Sequence, residues 1–389
     1  MAKSNLKDKT MKKLLIMTLA MMPLFFNACK ETVQPEVKEG SRLDYSFEFF
    51  RQVSKDTDAN LTVSPYSAAI ALNMLQEGAE GHTYAELSKV LNGISYNMPE
   101  VDESDSAKVL TANSIWIRDD FKIKNGYRRN CVDRFQAEVA SLDFSSPAAP
   151  ATINDWCSEH TNGLINKMVD NLDLSTVMML MNALYFKAPW DHFAEGDTRK
   201  NVFHGLEGDN SGVEFMHANG SFFYAEKDGF QMVELPYKSS DYVFQVLLPA
   251  EGVNLSQVMN LLTEENYRKA MDSMSRVRVS LDMPKFSFET SVNLNAPLKR
   301  MGLEESFTNA DLGKITDAGV KIGDVIQKCV MKVAEKGTEA AAVTSISIKL
   351  TSCAPSLDVK RMIVNRPFLF LIKSSEADDV LFIGKVVNL

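Results

Sequence analysis

The chain is poor in the residue types that metal centres and disulfide frameworks require. Among 389 residues there are five cysteines and five histidines. Past Cys29 the cysteines are Cys131, Cys157, Cys329 and Cys353, with no CxxC spacing. His82, His160, His192, His204 and His217 stand in no ligand arrangement, so spacing proposes neither a metal site nor a redox pair. Cys131, Cys157 and Cys329 fall among helix or strand patterning and are expected as core thiols, and Cys353 as an exposed one. Hydrolase, nucleotide and zinc-protease motifs (G-x-S-x-G, Walker loop, G-x-G-x-x-G, H-E-x-x-H) are missing as well. No enzyme activity and no cofactor are therefore expected. The net charge is −9 and no long block of like charge occurs. A nucleic-acid binder would carry a basic face, so no nucleic-acid partner is expected.

What is present begins at the N-terminus. Lys12-Lys13 leads into an apolar run from Leu14 to Phe26, followed by Asn27-Ala28-Cys29. A basic start and about 13 apolar residues form a secretory signal, too short to span a membrane. The Ala-Cys ending resembles a bacterial lipobox, with Phe26 where Leu is usual and a bulky Asn27. Residues 1–28 are thus expected to be a lipoprotein-type signal, with Met1 or Met11 as the start. Cys29 becomes the lipidated first residue, and residues 29–42 form a polar tether. The simpler alternative is an ordinary cleaved signal with Cys29 incidental. Either way the protein is exported. With lipid on Cys29 it is an outer-membrane lipoprotein facing the periplasm or the cell surface; without lipid it is secreted.

A rule of roughly 150 residues per domain would give two or three domains. No repeat or low-complexity linker divides the rest, and 45% of the chain is hydrophobic. One large domain over residues 43–389 is the better reading. Helical periodicity appears at 44–53, 66–77, 83–91, 125–135 and 153–169, the last interrupted at Gly163. Ser64 is placed to cap the second of these, with Pro65 in its first turn, and Thr83 to cap the third. Strand patterns occupy 60–64, 109–117 and 138–144, and the uncharged run 177–186 suits a central, doubly covered strand. Beyond residue 200 the segments 213–216, 221–225, 231–237, 242–249, 276–282, 284–288, 325–333, 367–373 and 379–387 read as strands. Helices at about 254–271 and 291–301 interrupt them. Helices dominate the first half and strands the second, an α+β arrangement.

One segment stands apart. From Thr338 to Leu350 the even-numbered positions are Thr338, Ala340, Ala342, Thr344, Ile346, Ile348 and Leu350, all uncharged. Between Thr338 and Thr351 the charges, Glu339 and Lys349, fall in the odd set. Side chains alternate between faces in an extended chain, so this is a strand with one face fit for a core. By pattern alone it is an edge or hairpin strand.

That segment, Glu335-Lys336-Gly337-Thr338-Glu339-Ala340-Ala341-Ala342-Val343-Thr344, resembles the hinge of the serpins, the serine protease inhibitor family. Further motifs follow in the family's order over about residues 43–389. They include Asn60-Leu-Thr-Val-Ser64-Pro65-Tyr-Ser67, Met181-Asn182-Ala183-Leu-Tyr185-Phe186-Lys187-Ala-Pro-Trp190 and Glu234-Leu-Pro236-Tyr237. Leu281-Asp-Met-Pro284-Lys285-Phe286, Asn365-Arg-Pro367-Phe368 and Phe382-Ile-Gly384 complete the set. The resemblance implies three β-sheets, about nine helices and an exposed reactive-centre loop at about 335–358. It further implies that a protease attacking the loop is held as an acyl-enzyme while the cleaved loop adds a strand to the large sheet. Glu335, Gly337, Thr338, Glu339, Ala340, Ala341, Ala342 and Thr344 would be the hinge, and Ser64, Ser67, Asn182, Trp190 and Gln327 the shutter and breach. Gln327 stands where the family usually has a histidine. Counting from Glu335 puts the reactive bond at Thr351–Ser352, with Leu350–Thr351 and Lys349–Leu350 as alternatives. The partners would be serine proteases of elastase, chymotrypsin or trypsin type, or cysteine proteases, met by a monomer. The rival within the family is a non-inhibitory binding or chaperone-like protein.

Overall fold

The computed structural model describes residues 40–96, 107–227, 229–338 and 359–389. In chain order the elements are α1 (Arg42–Ser54), β1 (Leu61–Val63), α2 (Pro65–Glu77), α3 (Gly81–Val90), β2 (Lys108–Arg118), α4 (Asn125–Phe135) and β3 (Glu138–Leu142). Then come α5 (Ala149–His160), β4 (Met178–Pro189), β5 (Arg199–Gly205), β6 (Gly208–Lys227), β7 (Phe230–Pro236) and β8 (Tyr242–Pro249). They are followed by α6 (Leu255–Leu261), α7 (Glu264–Ser273), β9 (Ser275–Pro284), β10 (Phe286–Asn293) and α8 (Asn295–Met301). The last are β11 (Ile326–Ala334), β12 (Gly337–Thr338), β13 (Lys360–Ile363), β14 (Phe368–Ser374) and β15 (Val380–Val386). With two 3-10 turns, eight α-helices stand among the described residues where about nine were expected.

Two hydrogen-bonded sheets carry the strands. The first has six strands in the order β10-β11-β12-β4-β2-β3. The second has nine, ordered β1-β15-β14-β8-β7-β6-β9-β13, with β5 also on β6. The two smaller sheets of the implied fold are fused here because β6 runs unbroken for 20 residues. Its first half pairs with β5, its second with β7, and β9 spans both. This corrects the expectation of separate strands at 213–216 and 221–225. Gly220 does not break the strand; a side chain there would lie 2.9 Å from the Phe222 ring, so the glycine makes room for it. Between the sheets Phe244 and Phe370 stack at 5.6 Å, while Phe286 packs on Phe368 and Phe370. A second apolar cluster, with Trp116, Ile153, Trp156 and Met181, joins α5 to β2 and β4.

Local chemistry explains the other departures. Ser64 does cap α2, accepting from the Ser67 N–H at 3.0 Å with Pro65 in the first turn. Thr83 does not cap α3, which starts at Gly81. It is buried, and its hydroxyl accepts from the Asp311 N–H at 2.8 Å. The helix expected to reach residue 169 stops at His160, where Asn162 and Gly163 take positive φ. The Asn154 amide then holds the returning chain by accepting from the Met168 and Val169 N–H groups. The helix over 254–271 is two, because Thr263 opens α7 by accepting from the Asn266 N–H. Cys131, Cys157 and Cys329 are buried free thiols. Burial raises all three, Cys131 to about 11 and the other two to about 12, so none is a nucleophile at neutral pH.

Candidate functional site

The site is the middle of the six-stranded sheet. β11 ends at Ala334, Glu335 and Lys336 turn, and Gly337–Thr338 folds back as β12. β12 is antiparallel to β11 on one side and to β4 on the other. Val333 pairs with Thr338 and Thr338 with Ala188; Ala334 pairs with Gly337 and Gly337 with Pro189. Among the described residues β4 and β11 share no ladder of their own, and β12 is what joins them. They therefore stand two strand spacings apart at this point, roughly 9–10 Å. Gly337 has φ +132°, and a Cβ there would lie 2.1 Å from the Ala188 carbonyl oxygen and 2.8 Å from Pro189 Cα. A residue with a side chain cannot take this conformation without moving β4.

Trp190, just past β4, fixes the turn. Its indole N–H donates to the carbonyls of Ala334 at 3.0 Å and Glu335 at 2.9 Å, and its backbone N–H to that of Lys336. The ring stacks on Tyr237 with centroids 5.4 Å apart and planes 5° from parallel, and Phe193 and Phe244 meet it edge-on. The Tyr237 hydroxyl in turn hydrogen-bonds the Thr338 hydroxyl. Burial drives the Tyr237 pKa far above its ordinary range, so the phenol stays neutral and keeps its proton for this bond.

Glu335 is the charged part of the turn. Its carboxylate accepts from the Thr198 hydroxyl at 2.7 Å and lies 3.3 Å from the Lys285 ammonium. Burial alone would raise this carboxyl, but hydrogen bonds from Thr198, its own backbone and Lys285 outweigh it and hold its pKa below the usual range. A depressed carboxylate stabilises the fold above its unfolded pKa, near about 4.3, and that contribution disappears as pH falls through the folded value. Glu335→Gln is accordingly expected to melt below wild type at about pH 7, with the gap closing under about pH 4. Paired melting curves across that range check it; a gap that does not depend on pH would assign Glu335 a packing role only. Lys336 pairs with the exposed Glu195 at 3.0 Å, a surface contact worth little.

At the far end of the same strands lies a polar network. The Gln327 amide makes two bonds to one residue: Oε1 accepts from the Ser64 N–H at 3.0 Å and Nε2 donates to the Ser64 carbonyl at 2.8 Å. The Ser67 hydroxyl donates to Asn182 Oδ1. Asn182 Nδ2 donates to Asn113 at 2.6 Å, and Asn113 to the Phe135 carbonyl at 2.6 Å. Gln327 and Asn182 thus bond to different residues at the start of α2, Ser64 to Gln327 on β11 and Ser67 to Asn182 on β4. An amide meets both backbone groups of Ser64, which one imidazole nitrogen could not.

Of the residues expected from sequence, Ser64, Ser67, Asn182, Trp190, Gln327, Glu335, Gly337 and Thr338 come together along this sheet. Glu339, Ala340, Ala341, Ala342, Thr344, Lys349, Leu350, Thr351, Ser352, Cys353 and Cys29 lie outside the described residues. Asn113, Thr198 and Tyr237 belong to the site and were not singled out. Tyr237 and Lys285 sat within quoted motifs; Asn113 and Thr198 had no signal, because their partners are 69 and 137 residues away.

Comparison with known proteins agrees with this architecture. The family model described as serpin (serine protease inhibitor) matches residues 41–389. Plasminogen activator inhibitor 1 of Mus musculus is 30% identical over 370 residues, covering 89% of this chain and 91% of its own. The native structure of the thermophilic serpin tengpin superposes with a TM-score of 0.81 at 29% identity, over 91% of this chain and 96% of that one. The complex of thyroxine-binding globulin with thyroxine superposes with a TM-score of 0.78 at 25% identity, over 89% and 98%. Serpins as a family are protease inhibitors rather than catalysts, although that last structure is of a thyroxine-binding protein. A match over nine-tenths of the chain, and a fold in which the hinge turn enters the centre of a six-stranded sheet, make this chain a member of the serpin family.

Proposed function

We propose that the protein is an inhibitory serpin, a suicide substrate that traps its protease as an acyl-enzyme. The observation that carries this reading is β12. The chain enters the sheet at Gly337–Thr338 between two strands that pair only through it among the described residues. An inserted strand continuing that register would place Ala340 between Phe186 and Met331, Ala342 between Leu184 and Cys329, and Thr344 between Asn182 and Gln327. Thr338 is buried, and the same-face positions that follow are small and uncharged, which such a path requires. The attacked bond is Thr351–Ser352, or one of its neighbours at Leu350 and Lys349. The targets are serine proteases of elastase, chymotrypsin or trypsin type, with cysteine proteases as a further class, and the inhibitor acts as a monomer.

The test is incubation with one protease of each type, followed by denaturing gels, mass mapping of the cut, and melting of the cleaved form. Complexes stable in detergent and a cleaved form that melts well above the intact one are expected. Turnover without a complex, and a cleaved form that melts no higher, would favour the second reading, a binding protein in the manner of thyroxine-binding globulin.

The N-terminal signal supports export, with Cys29 carrying lipid and residues 29–42 as the tether. Labelled palmitate is expected to enter the wild type in cells and to be lost in Cys29→Ala, with the protein moving from the membrane to the soluble fraction. Equal absence of label from both would mean an ordinary cleaved signal.

A further inference from the structure

A protein of net charge −9 carries one face of the opposite sign. Arg276 and Arg278 alternate along β9, and Arg361 on the neighbouring β13 is paired with Ser280. Residues two apart on a strand, and residues paired across strands, share a face, so the three arginines lie on one face of the sheet. The β6 residues opposite them on that face are Phe223 across from Arg276, Ser221 across from Arg278 and Asn219 across from Ser280. All three arginines are exposed, and Phe223 is 47% exposed.

None of the three arginines has a side-chain hydrogen bond or ion pair among the described residues. The carboxylates nearby on the face are engaged elsewhere: Asp282 accepts from His217 Nδ1 at 2.8 Å, and Glu234 from Gln245 Nε2 at 2.7 Å. Among the described residues nothing neutralises the arginines. The location says what would. β13 is the strand that the chain enters directly after the segment at 339–358, and Val359, just before it, is exposed. From Ser352 to Arg361 the backbone can span at most about 30 Å. A protease domain of about 220 residues has a radius of gyration of about 17 Å, hence a width of about 45 Å. An enzyme holding residues 349–352 in its cleft thus reaches this face with its flank.

We infer that Arg276, Arg278 and Arg361, with Phe223 beside Arg276, form a docking surface for an acidic patch on the flank of the target protease. The inference rests on the proposed attack at residues 349–352. An exposed aromatic at the edge of a row of arginines is the composition of a protein-binding surface, and Arg and aromatic residues are where interface energy concentrates. A sulfated polysaccharide would need the charges and gain little from the ring. Charge of this kind acts mainly on the encounter: steering raises association rates by ten-fold or more and fades as salt rises.

The test uses anionic and cationic trypsin, each with its nucleophilic serine replaced by alanine, so that encounter is read without acylation. Association rates at low and high salt are measured on the full chain for wild type, for Arg276→Ala/Arg278→Ala/Arg361→Ala, and for the corresponding triple lysine variant. The wild type is expected to bind the anionic form at least ten-fold faster at low salt, with the advantage shrinking at high salt. The alanine variant should lose that advantage with its melting temperature unchanged, and the lysine variant should keep most of it. Equal rates for the two enzymes, no binding of either, or an alanine variant that retains the preference overturns the inference. So does loss of dextran sulfate binding in the alanine variant with its trypsin rates intact, which would make the face a polyanion site. Covalent-complex yield is read separately with active enzymes, so failure of trapping and failure of docking are told apart.

Discussion

Thr344→Arg is expected to turn the inhibitor into a substrate: the loop is still cut, but the yield of covalent complex falls by about 100-fold or more. Register is the reason. Extending β12 residue by residue brings position 344 between Asn182 of β4 and Gln327 of β11, on the face where Thr338, Ala188 and Val333 are buried. A threonine hydroxyl can join the amide network there. A guanidinium would be buried among groups already committed to Ser64, Ser67 and Asn113, none of them a carboxylate. An uncompensated buried charge costs several kcal/mol even after relaxation. Each 1.4 kcal/mol lost by the inserting branch shifts the partition between trapping and hydrolysis tenfold. Complex yield per cleavage event, read on denaturing gels, checks this, and Glu339→Arg on the opposite face is the control expected to change little. The intact protein should melt as wild type does. A melting loss of several degrees before cleavage would put position 344 in the sheet already and sink the argument.

Parts of this site were legible because they are local. Ser64-Pro65 is a cap and a first-turn proline, and the uncharged run of β4 could only be a covered strand; both are where the pattern put them. β5 and β13 were missed because neither has a pattern of its own. Arg199–Gly205 is largely exposed, and Lys360–Ile363 has four residues whose strand character comes from lying along β9. The proposed hinge shows in the sequence as an alternation, but alternation is equally an ordinary hairpin strand. Of that alternation Thr338 alone lies among the described residues, in a β12 that pairs with β11 as a hairpin and with β4 on its other edge. The anchors of Glu335 were illegible, since Thr198 and Lys285 reach it from separate elements. The arginine face repeats the lesson: two of its charges sit two residues apart, and the third arrives 83 residues later, so no run of basic sequence announces it.

Energetics returns attention to the far end of the strands. An inserted segment of ten or so residues gains ladder bonds at about 0.5–1.5 kcal/mol each. Ordering it costs about 1–2 kcal/mol per residue. The two nearly cancel, so a large drive needs a sheet whose intact form is held away from its best arrangement. The groups that hold β11 and β4 to α2 are the candidates for that restraint, and Gln327 is the one bonded at both ends of its amide.

Gln327→Ala is therefore expected to cost about 1–3 kcal/mol, a sizeable fraction of the roughly 5–15 kcal/mol that keeps a domain folded. It removes the partner of the Ser64 N–H, and one of two partners of the Ser64 carbonyl, at a buried site: Gln327 is 7% exposed and Ser64 1%. The Ser64 N–H would be left unsatisfied, at about 1–3 kcal/mol, while the Ser64 carbonyl keeps the Ala68 N–H at 3.1 Å. Gln327→His separates this account from simple loss of volume. A neutral imidazole can meet only one of the two Ser64 groups with one nitrogen, so stability should fall between wild type and alanine at about pH 8. Burial disfavours the imidazolium and depresses the folded pKa below its ordinary value near about 6.5. With a depressed folded pKa, protons bind the unfolded chain first, and the histidine variant should lose stability as pH falls from about 7 toward about 5. The wild type, with an amide that does not titrate, should show no such step in the difference between the two. Denaturant midpoints of the three proteins across that range decide it. A histidine variant that tracks wild type at every pH would mean that the pairing with Ser64 contributes shape alone, and that the restraint on the sheet lies with Ser67, Asn182 and Asn113.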